Sequence, residues 1–270
     1  MTYQPGRPPP GGGIERHAEP DTGRILLAAV QLSGVDLRQA ATLDDAERQR
    51  AASFRTELQQ DRFLAGRIAL RRHAAAAAGV GARALRADYI CRECTRDDHV
   101  HGTPRYQAGP SGTTVLASLS RAEDWCLLAA TTDEQVLGVG VDLESSTAAG
   151  FDGFGAVALS EREREHLHRV EPGLRPGVQT VLWTRKEAVL KALGRALAVI
   201  DPGLVDVAGS VPLLPDFLQA PAGPVVRGMP LVGGQTGGRD RWLVDAVDPG
   251  SVGLPDSFTA AMAVRLKPRT

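Results

Sequence analysis

Asp142 and Glu144 lie at the end of the apolar run 139–144 (VGVDLE). Side chains of a strand alternate between its two faces, so both carboxylates emerge on one side, while Val141 and Leu143 pack on the other. Carboxylates held this close repel one another unless a cation lies between them, and oxygen ligands suit a hard ion such as Mg²⁺. Two solvated acids at a strand end give the same short pattern, so the pair becomes a candidate magnesium site only beside a second motif.

The second motif is the helical segment 183–194 (WTRKEAVLKALG), in which one turn separates Glu187 from Lys191. An exposed pair at this spacing contributes only about 0.3–0.5 kcal/mol. Among 31 basic residues, however, only Lys186, Lys191 and Lys267 are lysine, and two of them lie here. An ammonium and a guanidinium are not interchangeable where a point charge must be placed. One acid and two lysines beside the strand could complete a metal site and neutralise a bound polyphosphate.

The surrounding pattern is that of an α+β protein. Apolar runs predict strands at 24–31, 115–120, 125–131, 136–143, 205–207, 241–247 and 258–266. Helical periodicity predicts two helices within 44–78, one from a capping box at Ser160 and Glu163 to residue 168, and one over about 178–196. The three strands from 115 to 143 are expected to form an antiparallel meander with a turn at 121–124, after an irregular loop at 89–112.

Helices precede strands in both halves of the chain, which predicts two similar α+β lobes, 23–134 and 135–270. Residues 1–22 are rich in proline and glycine and nearly devoid of large apolar side chains, so we expect a flexible tail there.

The composition excludes several classes of protein. A chain with 43% hydrophobic and 23% charged residues is typical of soluble globular proteins. Its net charge of -1 gives no electrostatic argument for a nucleic-acid or membrane partner. No apolar stretch approaches the roughly 20 residues of a spanning helix, and no signal peptide is evident. Three cysteines make no disulfide framework, so we expect a cytoplasmic protein.

The two motifs, in this order and at this spacing, resemble the paired signature of the 4'-phosphopantetheinyl transferases of the surfactin-synthetase-activating type. Weaker likenesses lie at 63–71, 101–104, 119–120, 159–163 and 260–264, so the resemblance extends over about 44–264. It implies two pseudo-symmetric α+β lobes, with coenzyme A and the active site in the cleft between them. A single chain of 270 residues resembles the two-lobed class that serves secondary metabolism, so we expect a monomer.

The resemblance also implies the reaction. Asp142, Glu144 and Glu187 would hold Mg²⁺ together with the pyrophosphate of coenzyme A. The phosphopantetheine arm would move to a serine of an acyl or peptidyl carrier protein of polyketide, non-ribosomal peptide or fatty-acid synthesis, releasing adenosine 3',5'-bisphosphate. Lys186 and Lys191 would offset charge on the bridging oxygen, while Glu187 or a metal-bound water accepts the serine proton.

The expected coenzyme A ligands depart from the family pattern. Ser120 and Arg121 stand where the family usually has Ser-His-Ser, whose histidine contacts the 3'-phosphate, and arginine can bind phosphate with forked donors. The loop 102–104 (GTP) lacks the usual cation, which Arg105 could replace. Two basic positions of the first helical region approach the nucleotide in the family, so the candidate ligands are Arg50, Arg62, Arg105, Ser120 and Arg121.

Other interpretations of the sequence stay open. A non-catalytic module of the same fold could bind carrier proteins or coenzyme A, and an unrelated magnesium-dependent phosphotransfer enzyme would also use the acids. Arg162 and Arg164 are candidate contacts for an acidic carrier, although solvated helix arginines are commoner. Four residues could offer zinc ligands, but their His-x-His spacing is shorter than usual and favours a plain reduced loop: Cys91, Cys94, His99 and His101.

Overall fold

The computed structural model describes residues 25–89, 91, 102–110, 112–195, 200–209, 211–215, 218 and 240–268. Its helices are α1 (Asp45–Ala52), α2 (Glu57–Ala77), α3 (Phe154–Ala158), α4 (Glu161–His168), α5 (Arg175–Leu193) and α6 (Pro249–Val252). Its strands are β1 (Leu26–Gln31), β2 (Leu85–Ala87), β3 (Arg105–Ala108), β4 (Thr113–Ala122), β5 (Trp125–Thr131), β6 (Val136–Ser145), β7 (Arg241–Val247) and β8 (Phe258–Leu266). The tail predicted at 1–22 lies outside the described residues.

These strands form two antiparallel sheets, of order β1-β5-β4-β3-β2 and β6-β8-β7. The described part of the chain is therefore of mixed α+β class, as the sequence predicted. The predicted meander is wrong in its third strand, because β6 follows β5 in the chain but pairs with β8. Leu127 of β5 and Val141 of β6 instead belong to a core between the two sheets, where each strand buries an apolar face.

The elements stack as helix, sheet, sheet and helix. Helix α2 packs on the outer face of the first sheet through residues such as Ala69 and Leu70. Helix α5 packs on the outer face of the second sheet, where Ala188 and Ala192 join the core with Ala263 of β8. This stacking buries one apolar side of each long helix and both faces of the central strands.

Several predicted elements are confirmed. Strands β7 and β8 have the predicted bounds, the region 44–78 holds two helices, and Ser160 and Glu163 form the predicted capping box at the start of α4. Among the described residues, no helix combines the length and hydrophobicity needed to cross a membrane.

Other boundaries differ from the prediction. Helix α5 starts three residues earlier than predicted and ends at Leu193. Gly194 follows in the left-handed conformation (φ 68°) that terminates helices. The turn after β4 is shorter than predicted, because Arg121 still pairs with Cys126 in the sheet. The expected strand at 205–207 is only an isolated bridge between Asp206 and Leu213, and the expected loop at 89–112 contains β3.

Candidate active site

Helix α5 lies very close to β6 because two glycines of the strand face it. A Cβ atom at Gly138 would lie 2.0 Å from the carbonyl oxygen of Ala192, and one at Gly140 would lie 1.9 Å from that of Ala188. Residues two apart in a strand share a face, so Asp142 continues the face that these glycines open. The glycines therefore let the acids of β6 approach the helix that carries the second motif.

Three carboxylates converge there. Asp142, Glu144 and Glu187 each offer one oxygen atom, and these three oxygens lie within 4.8 Å of one another. Burial, followed by the charge of Asp142, raises the pKa of Glu187 to about 7. The same two causes raise the pKa of Glu144. A hydrogen bond from Trp183 to the Glu144 carboxylate acts in the opposite direction and partly lowers this pKa. Because the three acids lie so close together, either the protonation of a carboxylate or the binding of a cation between them is favoured.

Asp142 presents an oxygen that lacks a partner. The residue is 1% exposed, and its Oδ1 atom accepts hydrogen bonds from Ser120 Oγ at 2.7 Å and Lys191 Nζ at 2.6 Å. Its Oδ2 atom is buried and has no hydrogen-bond partner among the described residues. Leaving a buried carboxylate oxygen without a donor is costly. The orphaned oxygen and an all-carboxylate donor set therefore fit a hard cation such as Mg²⁺.

Lys191 connects the acids to a neighbouring cavity. Its ammonium lies 3.6 Å from Glu187 and donates to Ser120 Oγ at 3.0 Å, in addition to its contact with Asp142. The cavity has a volume of about 260 Å³ and is lined by Phe63, Arg67, Leu119, Ser120, Arg121 and Lys191. Three of the six lining residues are cations and none is an acid, so the cavity suits an anionic ligand.

The Arg121 side chain lies against helix α2 and lines this cavity. Its Nη1 atom donates to the carbonyl oxygen of Arg62 at 3.0 Å, and its guanidinium lies 5.8 Å from the ring centre of Phe63. Gly66 leaves room for the side chain, since a Cβ atom there would lie 3.1 Å from Arg121 Cδ. Burial is the main cause of a lowered pKa of Arg121, and the positive charges of Arg67 and Arg62 add to it. Arg121 forms no ion pair with any described carboxylate.

Arg67 is a cavity residue that the sequence analysis missed. Its guanidinium lies 5.0 Å from the ring centre of Tyr89 and 5.2 Å from that of Phe63, and its Nη1 atom donates to the Tyr89 hydroxyl at 3.2 Å. The Tyr89 hydroxyl in turn lies 3.0 Å from that of Tyr106 and donates to buried Glu47. The available signal was the position of Arg67 four residues after Phe63, on the same helix face.

The side chains of three predicted coenzyme A ligands do not line the cavity. Arg50 is exposed on α1, with its guanidinium 5.8 Å from the ring centre of Phe54. Arg105 on β3 forms an ion pair with Asp88, so its charge already has a partner. Arg62 is exposed and contributes its backbone carbonyl, which holds Arg121.

Lys186 is not brought to the acid cluster. Its side chain is fully buried on a different face of α5, where it forms a 2.6 Å ion pair with Glu163. Burial lowers the pKa of Lys186, and its hydrogen bond to Glu163 acts in the opposite direction.

The remaining predicted residues lie apart from this group. Arg162 lies 3.9 Å from Asp206, and Arg164 donates to the carbonyl oxygen of Leu159. Cys91 is a half-buried free thiol. Its three suggested zinc partners fall outside the described residues: Cys94, His99 and His101.

The comparison with known protein families agrees with this geometry. No curated protein matches the chain significantly. Residues 138–210, which contain most of β6, all of α5 and the three converging carboxylates, match the family model of the 4'-phosphopantetheinyl transferase superfamily, and this part of the chain is similar to that superfamily.

Proposed function

We propose that this protein moves the 4'-phosphopantetheine arm of coenzyme A to a serine of an apo carrier protein and releases adenosine 3',5'-bisphosphate. The observation that carries the proposal is the convergence of three carboxylates beside Lys191 and a cation-lined cavity. The family match over the same carboxylates supports it. A diphosphate ligand would lie between a metal on one side and cationic side chains on the other.

Asp142, Glu144 and Glu187 would hold Mg²⁺, which when bound supplies positive charge beside the pyrophosphate of coenzyme A. The unpartnered Oδ2 atom of Asp142 fits this use. Lys191 reaches both the acids and the cavity, so its ammonium would donate to the pyrophosphate oxygen that leaves with the nucleotide. Ser120 holds both Lys191 and Asp142 by hydrogen bonds and so keeps them in register.

In the transfer, the carrier serine oxygen forms a bond to the phosphorus of the phosphopantetheine arm, and the bond from that phosphorus to the bridging oxygen breaks. The electron pair of the broken bond leaves with adenosine 3',5'-bisphosphate. The serine proton needs a base whose pKa lies near neutrality. Glu187 of the acid cluster is the candidate, and a bound cation would lower its pKa from the value of about 7 that burial and Asp142 give it without metal.

The cavity would receive the 3'-phosphate of coenzyme A. Arg121 and Arg67 line it without an ion-pair partner among the described carboxylates, so their charges are available to a ligand. Each guanidinium presents several N–H donors in a fixed plane, which suits phosphate oxygens. Arg67 thus joins Arg121 and Ser120 as a proposed ligand, whereas Arg50 and Arg105 have no contact that supports this role.

We assign the protein to the surfactin-synthetase-activating type with two lobes, 23–134 and 135–270, and a site between them. Among the described residues, the first sheet is built from strands within 26–131 and the second from strands within 136–266, which supports this division. Hydrogen bonds between the two sheets support a site between the lobes. Ser118 Oγ of β4 accepts a hydrogen bond from Val141 N of β6 at 3.1 Å, and Ser120 of β4 bonds to Asp142 of β6. The monomeric state, cytoplasmic location and service to secondary metabolism stay predictions from the sequence.

Mass spectrometry of an apo carrier protein, incubated with the protein, coenzyme A and Mg²⁺, tests the proposal. We expect a gain of one phosphopantetheine mass, which is lost when Asp142→Asn replaces the parent. Unchanged carrier with measurable docking would instead support the non-catalytic module. Unchanged carrier without docking would favour an unrelated phosphotransfer enzyme.

A further inference from the structure

Lys186 has no N–H group left for a ligand. Its side chain is completely buried and donates to Glu163 Oε2 at 2.6 Å, to the carbonyl oxygen of Pro202 at 2.8 Å, and to that of Val205. An ammonium has three donors and no acceptor, so these three oxygens use all of them. The residue cannot also donate to a phosphate while these contacts last.

Glu163 is equally occupied. Its side chain is completely buried, its Oε2 atom also accepts from Ser160 N at 2.8 Å, and its Oε1 atom accepts from Val207 N at 2.8 Å. The pair therefore ties helix α5 both to the start of α4 and to the segment 202–207. A buried ion pair that is fully hydrogen-bonded holds one geometry, since any shift leaves a buried charge unpaired.

The position of this pair around α5 bears directly on the acid cluster. Glu187 follows Lys186 in the chain, and consecutive helical residues point about 100° apart. A fixed Lys186 therefore fixes the rotation of the helix about its axis. Gly138 and Gly140 fix the approach of the same helix to β6. Together these contacts determine where Glu187 and Lys191 point.

We propose that Lys186 is a positioning residue, which with Glu163 holds α5 in the rotation that directs Glu187 and Lys191 to Asp142, and which contacts neither metal nor phosphate. This departs from the role that sequence resemblance gave to Lys186, a cation beside the bridging oxygen. The two roles predict different effects of replacing Glu163. A positioning role needs Glu163, whereas a phosphate contact does not.

Binding of Mn²⁺ to the full chain, followed by electron paramagnetic resonance without coenzyme A, separates the two roles. The variants are Lys186→Met, Glu163→Gln and the double variant, with Lys267→Met as the control because Lys267 is an exposed lysine. We expect each single variant to weaken Mn²⁺ affinity about 10–100-fold, as loss of groups that orient metal ligands does. The double variant should lose no more affinity than the weaker of the two single variants, because both substitutions remove the same ion pair. The control should bind as the parent does.

An affinity that falls in Lys186→Met but is unchanged in Glu163→Gln, with the double variant equal to Lys186→Met, would overturn the proposal. If Lys186→Met fails to fold, as circular dichroism would show, Glu163→Gln decides the question. This variant keeps one acceptor oxygen, which can serve the backbone N–H group of either Ser160 or Val207. Parental Mn²⁺ affinity and thermal stability in Glu163→Gln would then refute the positioning role, and weakened affinity would support it.

Kinetics provide a second measurement, which rests on the proposed function. In Glu163→Gln we expect kcat to fall about tenfold while KM for coenzyme A stays within about threefold, because the metal ligands are misdirected while the cavity is intact. A chain that shows the expected Mn²⁺ pattern but transfers nothing would refute the proposed function and leave the role of Lys186 supported. A parent chain that binds no Mn²⁺ would contradict both.

Discussion

Lys191 separates two regions of opposite charge. On one side lie the carboxylates of Asp142, Glu144 and Glu187, and on the other lies the cavity with Arg67 and Arg121. The first region attracts a cation and the second an anion. A ligand that carries a metal-bound diphosphate and a separate phosphate would neutralise both regions at once. A ligand that bound to only one region would leave the charge of the other region unbalanced.

The Asp142→Asn substitution tests the cation region. The new amide would retain an oxygen for the Ser120 and Lys191 hydrogen bonds but would lose the charge that a cation needs. We expect transfer to fall about 100-fold or more, which corresponds to the several kcal/mol of metal stabilisation. Thermal melting without metal should stay near the parent's or rise, because the substitution relieves repulsion among three acids.

The contrary result for this variant is parental transfer at limiting Mg²⁺, which would remove the metal site from the mechanism. Glu144→Gln serves as a companion, since Glu144 belongs to the same cluster but is more exposed. It should lose activity in the same direction.

Replacing Arg121 by Ala tests the anion region. If Arg121 binds the 3'-phosphate, the variant should raise KM for coenzyme A about tenfold or more, since a charge-assisted hydrogen bond is worth about 1.5–3 kcal/mol. Dephospho-coenzyme A, which lacks that phosphate, should be affected much less. Arg67→Ala should show the same preference, and Arg105→Ala should not, because Arg105 is paired with Asp88.

Steady-state kinetics with both substrates decide the matter. Equal sensitivity of coenzyme A and dephospho-coenzyme A to Arg121→Ala would show that Arg121 does not bind the 3'-phosphate.

At the residue scale, the sequence predicted all three converging acids, but it did not predict where every cationic side chain points. Lys186 and Glu187 are neighbours in one motif, yet the angle of about 100° between successive helical residues sends one to Glu163 and the other to Asp142. Arg67 was not singled out, although it lies four residues after Phe63 and within the family-like segment 63–71, because an arginine-rich chain offers many arginines at such spacings. Only the packing of α2 on β4 shows which one faces the cavity.

At the scale of elements, the contact between β6 and α5 determines the site. Gly140→Ala would place a Cβ atom 1.9 Å from the carbonyl oxygen of Ala188, so the helix backbone must move. We expect a loss of stability of about 1–3 kcal/mol, as overpacking of a core causes, together with weaker metal binding. Thermal melting and Mn²⁺ titration measure the two effects.

Gly177→Ala is the matched control, because it lies on α5 and a Cβ atom there meets nothing within 4 Å. Replacing glycine by alanine inside a helix should stabilise the protein by up to about 1 kcal/mol and leave Mn²⁺ binding unchanged. Destabilisation of similar size in both variants would show that the close approach at Gly140 is not what positions α5.

Local patterns predicted most elements because strand alternation and helix capping are written in neighbouring residues. Strands β7 and β8 and the box of Ser160 and Glu163 show this. Pairing was not predictable in the same way. Strand β6 follows β5 after a short connection, which favours a hairpin, but their apolar faces pack against each other across two sheets. Which faces meet depends on the whole set of strands.

At the scale of the whole molecule, the site draws on both sheets and both long helices. Ser120 of the first sheet holds Asp142 of the second, while α2 supplies Arg67 and α5 supplies Lys191. A ligand bound there stabilises only the arrangement in which both halves are folded and packed together. Binding should therefore raise the stability of the entire chain. The stability of the entire chain should also depend on the charge state of the acid cluster.

The stability of the metal-free protein should depend on the protonation of Glu187. Its pKa is about 7 in the folded chain against an ordinary value of 4.5, because burial and the neighbouring acids disfavour its charge. A raised pKa contributes stability that is fully present below the unfolded value and is lost as pH rises through the folded value. Relative to Glu187→Gln, the parent should therefore lose stability as pH rises from about 4.5 to about 7.

Thermal melting of both proteins over this pH range, in EDTA and then in saturating Mg²⁺, checks the expectation. Any other group that titrates in this range is present in both proteins, so its effect cancels in the difference. With Mg²⁺ the trend should reverse for the parent alone, because the cation binds the deprotonated carboxylates and its stabilisation grows as pH rises. Parallel pH curves in EDTA would show that Glu187 does not titrate near neutrality. Equal Mg²⁺ stabilisation of the parent and Glu187→Gln would show that Glu187 does not help to hold the metal.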